Sequence, residues 1–225
     1  MATPLEYQTF CPVGAALNVI GERWSLLIVR DLLLGPRRYS ELQSGLGGVG
    51  TDILAARLRT LQEQGVVRQT GTGRNRRYEL TESGQALRPV LAELGRWGAD
   101  RAHLPADPSE IPPRVPLTSL LVGASSFPRP ASGSYEIRVE GEAVRVDIAD
   151  GRLQPAGAND PDTMIELTRA GLGSLVMGES SSDIEQSGQL LIIGNRRRAH
   201  ALLDAVKAPP RLVGLRRQLT AGASK

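Results

Sequence analysis

Apolar residues recur at helical spacing through most of the first hundred positions and alternate with polar ones in two later runs. Residues 11–35, CPVGAALNVIGERWSLLIVRDLLLG, predict two helices broken near Gly21–Glu22. Trp24, Leu27, Ile28, Leu32 and Leu33 form their buried stripe, and Gly35–Pro36 stops the second helix. Ser40-Glu41-Leu42-Gln43 has capping-box spacing and predicts a short helix. GLGGVG reads as a turn, and Thr51 is expected to cap the helix TDILAARLRTLQEQG, which ends at Gly65. In that helix Leu54, Leu58 and Leu61 face inward, while Asp52, Ala55, Ala56 and Arg59 lie on the opposite side. VVRQT and RRYEL flank a glycine-rich tip and predict a hairpin. TESGQALRPVLAELGRWGAD predicts one long helix capped by Thr81 and mildly kinked by Pro89. Its stripe of Leu87, Val90, Leu91, Leu94 and Trp97 suits either a core or a dimer seam.

The pattern then breaks. Residues 102–116, AHLPADPSEIPPRVP, contain five prolines and read as a stiff linker. The expected domains are therefore 1–101 and 117–225. Beyond the linker, VPLTSLLVGASS predicts a helix. YEIRVEG and AVRVDIAD predict an antiparallel hairpin turning near Gly141–Glu142, and RLQPAG a third strand. Asp160-Pro161-Asp162 is expected to open a helix through TMIELTRAGLGSLVMG, interrupted near Gly171. QLLIIG follows as a short buried strand and NRRRAHALLDAV as a closing helix. The fold class expected is α+β.

Composition narrows the function. The chain has 225 residues, 40% of them hydrophobic, which is enough for one large or two small cores. No apolar run approaches the ~18 residues that span a bilayer, and MATPLEYQTF has no signal-peptide pattern. The expectation is a cytoplasmic protein without membrane contact. One cysteine and two isolated histidines, His103 and His200, make neither a disulfide framework nor an ordinary zinc site, so no metal or other cofactor is expected. Gly45, Gly47 and Gly50 have G-x-G-x-x-G spacing but follow a helix, which argues against a dinucleotide site. No nucleophile–base or paired-carboxylate constellation points to an enzyme. Residues 1–105 hold 13 Arg and 10 acids, whereas residues 106–225 balance at 14 and 14. The basic excess lies in the first half, where nucleic acid is the natural partner. Arg196-Arg197-Arg198 reads as a solvated face, and the tail RLVGLRRQL as a small amphipathic helix docked on the protein.

A helix–turn–helix followed by an Arg-tipped hairpin is a winged helix. Residues 11–100 resemble the HxlR-type winged helix–turn–helix regulators. The resemblance rests on Cys11-Pro12, Gly21-Glu22-Arg23-Trp24, Tyr39-Ser40-Glu41-Leu42, Leu54…Arg57-Leu58…Leu61…Gly65, Tyr78-Glu79-Leu80-Thr81 with Gly84, and Trp97-Gly98. It implies a homodimeric transcription factor on a palindromic double-stranded DNA operator. Arg37, Arg38, Tyr39 and Ser40 are expected to grip the DNA backbone. Thr51, Asp52, Ala55, Ala56 and Arg59 are expected to face base edges or nearby phosphates, and Arg74, Arg76 and Arg77 to grip from the wing. Gly50 and Asp52 depart from the Ser or basic residues common there; Asp52 can accept a hydrogen bond from a cytosine amino group. Some members sense oxidants or electrophiles through a cysteine at the position of Cys11, which makes it the redox candidate.

The second segment resembles the sterol carrier protein domain. The matching residues are Asp162 with Ile165 in the expected helix, Leu172, Leu175 and Gly178, and Gly188-Gln189-Leu190-Leu191-Ile192-Ile193-Gly194. The resemblance implies helices over a twisted sheet with an apolar cavity, lined by Ile165, Leu172, Leu175, Val176, Met177 and Leu190. The function expected is a DNA-binding regulator whose C-terminal domain senses a hydrophobic small molecule. The alternative is oxidant or electrophile sensing through Cys11, with the C-terminal domain serving dimerisation or protein docking.

Overall fold

A computed structural model describes residues 7, 10–98, 112–124, 126–157 and 159–206. The expected tail helix and most of the expected linker lie outside these residues. The chain divides into two units, Met1–Arg88 and Pro89–Lys225. The division falls within the long helix expected to close the first domain, at Pro89, not in the proline-rich stretch.

In the first unit, α1 (Pro12–Ile20) and α2 (Ser25–Leu32) are separated where expected. The break is fixed by Trp24, which caps α2 in the left-handed region at φ 82° and carries the Arg23 guanidinium 5.1 Å from its ring. Ile28, Leu32 and Leu33 are buried as expected; Leu27 is not, because it faces outward on α2. α3 (Tyr39–Leu46) starts earlier than Ser40. Its cap is Arg38, whose backbone N–H donates to Glu41 Oε2 at 2.9 Å, so Glu41 is the third residue of the helix. Gly45 of α3 packs closely: a Cβ there would sit 3.0 Å from Oδ2 of buried Asp31. α4 (Thr51–Glu63) is capped by Gly50, with Thr51 inside the helix. Leu54, Leu58 and Leu61 are buried with Leu42 in the core of this unit. β1 (Val67–Thr70) and β2 (Arg77–Leu80) pair antiparallel.

Thr81 caps a helix as expected, its Oγ1 accepting from Gly84 N at 3.2 Å. That helix is short, however: α5 (Glu82–Gln85) ends and α6 (Arg88–Gly98) begins after a break at Ala86–Leu87. Pro89 supplies no N–H for the Gln85 carbonyl, so the helix interrupts instead of merely bending.

The second unit contains α6 and a five-stranded sheet. α7 (Arg114–Gly123) begins within the expected linker. β3 (Gly133–Val139), β4 (Glu142–Ala149) and β5 (Arg152–Pro155) form an antiparallel meander. The β3–β4 turn centres on Glu140–Gly141, both at positive φ, one residue before the expected position. β6 (Thr163–Leu167) is a strand where a helix was expected. Thr163, Ile165 and Leu167 are buried while Glu166 is exposed, which is a period of two. β6 runs parallel to β3 and antiparallel to β7 (Leu190–Ile193), giving the order β5-β4-β3-β6-β7. α8 (Arg169–Val176) is continuous through Gly171, whose N–H is capped by Thr168 Oγ1 at 3.0 Å. α9 (Ser181–Gln186) was not expected, and α10 (Arg196–Val206) closes the described unit.

α7, α8, α9 and α10 pack on the sheet face carrying Ile137, Val146 and Ile165. β7 is an edge strand and only half buried: Leu190 and Ile192 point inward, whereas Leu191 and Ile193 are exposed.

Candidate nucleic-acid interface

Three local structures bring the basic residues of the first unit together. Backbone bonds tie the segment before α3 to the hairpin: Arg37 N donates to Tyr78 O at 2.9 Å, and Tyr78 N to Arg37 O at 2.7 Å. Arg37 thus extends the β1–β2 hairpin by one bridge. Next, the Tyr39 hydroxyl donates to Thr51 O at 2.6 Å, joining the start of α3 to the start of α4. Desolvation, then the neighbouring Tyr78 and Asp52, push the Tyr39 pKa up, which keeps this hydroxyl protonated. Third, Gly71 and Gly73, both at positive φ, close the hairpin around a single 3-10 turn, Gly73–Asn75. A Cβ at Gly71 would lie 2.4 Å from Asn75 O, so only glycine makes this tip.

The exposed face of α4 presents Thr51, Asp52, Ala55, Ala56 and Arg59. Asp52 stands in the first turn, where the helix dipole favours an acid. Arg38 and Ser40 are exposed on α3 and its cap, and Arg37 and Tyr39 are half-buried. Arg74 and Arg76 are exposed at the hairpin tip, and Arg77 is half-buried at the start of β2. Ile53, missed in the sequence, is exposed beside this face, and its place next to Asp52 on the helix was the available signal.

Ion pairs engage some arginines of this unit and leave others, Arg23 beside Trp24 among them, without an acid. Arg30 pairs with Asp31 at 2.8 Å, Arg57 with Glu22 at 3.0 Å, and Arg68 with Glu79 across the hairpin at 2.6 Å. Arg38, Arg59, Arg74, Arg76 and Arg77 form no ion pair among the described residues.

The expected ligand-lining residues of the second unit are core residues. Ile165 lies on β6 rather than a helix; Leu172 and Leu175 lie on α8, and Leu190 on β7. All four are buried, and Val176 and Met177 are half-buried. An open cleft of about 350 Å³ lies elsewhere in this unit, lined by Asp147, Asp160, Asp162 and their neighbours and by none of the six. Cys11 caps α1 without a side-chain bond to it, is exposed and forms no disulfide. Among the described residues no group of His, Cys, Asp and Glu can hold a metal ion, and no helix is long and apolar enough to cross a membrane.

Comparison with known proteins adds to this geometry. Residues 19–105 match the family model described as HxlR-like helix-turn-helix. The uncharacterized HTH-type transcriptional regulator YvaP of Bacillus subtilis is 35% identical over 100 residues, which are 43% of this chain and 93% of YvaP. The uncharacterized HTH-type regulator Rv3095 of Mycobacterium tuberculosis is 37% identical over 99 residues, 43% of this chain but only 62% of Rv3095. The HTH-type transcriptional regulator YodB of B. subtilis is 34% identical over 103 residues, 44% of this chain and 91% of YodB. Its quinone-bound crystal structure matches at 33% identity and a TM-score of 0.36, covering 41% of this chain and 100% of that one.

Proposed function

The chain belongs to the HxlR-like helix-turn-helix family, and on that footing we propose that it binds a palindromic operator as a homodimer and adjusts that binding to a hydrophobic small molecule. It is a DNA-binding transcriptional regulator of the HxlR type, not an enzyme. α4 enters the major groove and reads base edges with Thr51, Asp52, Ala55, Ala56 and Arg59. Exposed Ile53 suits a thymine methyl group. Arg37, Arg38 and Ser40 grip the phosphates, and Tyr39 sets the angle between α3 and α4 through Thr51. Arg74, Arg76 and Arg77 grip from the wing. The observation that carries this reading is the set of five arginines without an acidic partner, grouped on α3, α4 and the hairpin.

Two exposed apolar strips support a dimer. Val13 and Leu17 lie at i, i+4 on α1, and Val90, Leu94 and Trp97 lie at i, i+4, i+7 on α6. A two-fold dimer matches a palindromic site. In the sensing part of the proposal, a ligand that favours one dimer geometry by ~1–3 kcal/mol shifts operator affinity roughly 5–150-fold. The sterol-carrier-like reading of the second unit is supported by its layer of helices over one sheet face.

A second reading rests on the exposure of Cys11 at the start of α1, where reagents in solvent reach the thiol. There the regulator senses oxidants or electrophiles, and the second unit serves only dimerisation or docking.

The test is binding of the full chain to DNA upstream of its own gene across a salt series. Six to eight phosphate contacts predict a loss of ~10³-fold or more between 50 and 200 mM salt. Absence of binding there, and of any enriched site in a random-sequence selection, overturns the reading. Repeating the series with oxidant on wild type and Cys11→Ser separates the two sensing modes.

A further inference from the structure

Helix α7 carries polar groups that the described protein leaves without partners. Thr118 is 0% exposed, and its Oγ1 makes no hydrogen bond. Arg114 stands four residues earlier, one turn away on the same side of the helix. Its Nε and Nη2 are likewise buried without a partner. Three arginines of the same unit show the arrangement that satisfies such a group: Arg138 and Arg145 share Glu136, and Arg196 meets Glu185 at 2.7 Å. Helix α7 itself, RVPLTSLLVG, contains no acid.

The identity of the two nitrogens is informative. The N–H bonds at Nε and Nη2 leave one edge of the guanidinium side by side. That edge is the fork that accepts two oxygens of a carboxylate or a phosphate at once. A water molecule satisfies one donor of such a fork but leaves the half-buried charge uncompensated, whereas an oxyanion satisfies both. The Thr118 hydroxyl, one turn along the same helix, offers a third donor. The site is made by side chains and not by the helix end, since Val115 N already donates to Pro112 O at 2.9 Å. Around it the helix buries Leu117, Leu121 and Val122.

We propose that Arg114 and Thr118 form an oxyanion site on α7 that takes the carboxylate or phosphate head of a small organic acid. The inference deepens the sensing reading of the second unit and rests on it: an apolar ligand bound there is anchored by a charged end. Its chemistry then differs from that of a neutral sterol.

The test uses the full chain without DNA and isothermal titration with four probes: acetate, inorganic phosphate, octanoate and octyl phosphate, with octanol as the uncharged control. At least one anion is expected to bind wild type, and octanol is not. Arg114→Met, which keeps the length and removes the charge, is expected to weaken that binding about 10–100-fold. Thr118→Val, which keeps the shape, weakens it about 3–10-fold. Tight octanoate or octyl phosphate with weak acetate and phosphate identifies an amphiphilic acid; inorganic phosphate binding as well as octyl phosphate identifies free phosphate. In anion-free buffer Arg114→Met is expected to melt at or above the wild-type temperature, because a half-buried cation with two buried, unpartnered N–H groups has been removed. Failure of all four anions to bind wild type overturns the proposal. So does unchanged binding by Arg114→Met, or a lower melting temperature for it without anion. Anion binding that leaves operator affinity unchanged keeps the site and rejects only the sensing reading.

Discussion

Two sets of arginines, one in each unit, keep opposite company. Around α3, α4 and the hairpin, Arg38, Arg59, Arg74, Arg76 and Arg77 stand without carboxylates. In the second unit Arg138 and Arg145 close on Glu136, Arg169 holds Glu140 at 2.7 Å, Arg196 meets Glu185, and Arg198 reaches toward Asp162 at 3.8 Å. The net charges of the two halves differ by only three. Partnering separates these two named sets, although Arg114, Arg129, Arg152 and Arg197 of the second unit also form no ion pair among the described residues. An arginine already matched by a carboxylate must break that contact to hold a phosphate, whereas an unmatched one releases only counterions from the DNA. Within the first unit the same rule sorts Arg30, Arg57 and Arg68, which are paired, from the reading surface.

The strongest attempt to break this comparison exchanges the two sets. Replacing Arg74, Arg76 and Arg77 together with alanine removes up to six phosphate contacts from a dimer. Operator affinity is then expected to fall on the order of 10²–10³-fold near physiological salt, and the salt slope to flatten by about 5. The matching change at Arg196, Arg197 and Arg198, the longest basic run in the chain, is expected to leave affinity within about twofold. Fluorescence anisotropy at four salt concentrations reads both. A large loss from the second triple variant would show that partnering does not decide which arginines meet DNA.

That contrast was only partly legible in the sequence. The apolar spacing of Leu54, Leu58 and Leu61 placed α4, and the glycines around Arg74 placed the hairpin, because both signals are local. The carboxylates are not local. Glu136 lies nine residues from Arg145 and meets it only through the β3–β4 register, and Glu140 lies 29 residues from Arg169. The same distance problem hid the Tyr39–Thr51 bond. β6 was misread for a different reason: TMIEL is too short for its alternation to outweigh the helical spacing that continues into α8. Arg114 and Thr118 sat one turn apart in plain view, but burial without partners is a property of the folded chain.

A second variant tests whether the polar contacts of the second unit are structural. Ser181 is fully buried, and its hydroxyl lies 2.7 Å from His200 Nδ1. His200 Nε2 lies 3.0 Å from Glu185 Oε2, so one imidazole joins α9 to α10. His200→Ala leaves the Ser181 hydroxyl buried and unmatched, which is expected to cost about 1–3 kcal/mol. Urea unfolding measures the loss. The salt slope of operator binding is expected to stay at the wild-type value, since no cation of the reading surface is touched. A change in slope would mean that this network belongs to the DNA-binding surface after all.

The smallest effect sharpens the comparison at its most heavily paired acid. Glu136 points away from the helices on β3, yet its side chain is 5% exposed, covered by Arg138 and Arg145. Hydrogen bonding from Arg145 is the main cause that holds its carboxyl below the ordinary 4.5; burial opposes this, and Arg138 assists it. A carboxylate with a lower pKa in the folded chain contributes its stability in full above the ordinary value. That contribution is lost as pH falls through the folded-state pKa. The melting temperature of wild type is therefore expected to decline as pH drops below the ordinary 4.5 and through the lower folded-state value. Glu136→Gln keeps the shape but not the charge, so it is expected to melt lower at pH 7 and to lose less on acidification. Differential scanning calorimetry between pH 3 and pH 7 compares the two curves. Parallel curves would mean that the two arginines gain nothing from this carboxylate. They would then be as uncommitted as those of the hairpin, and ion pairing would no longer distinguish the two sets.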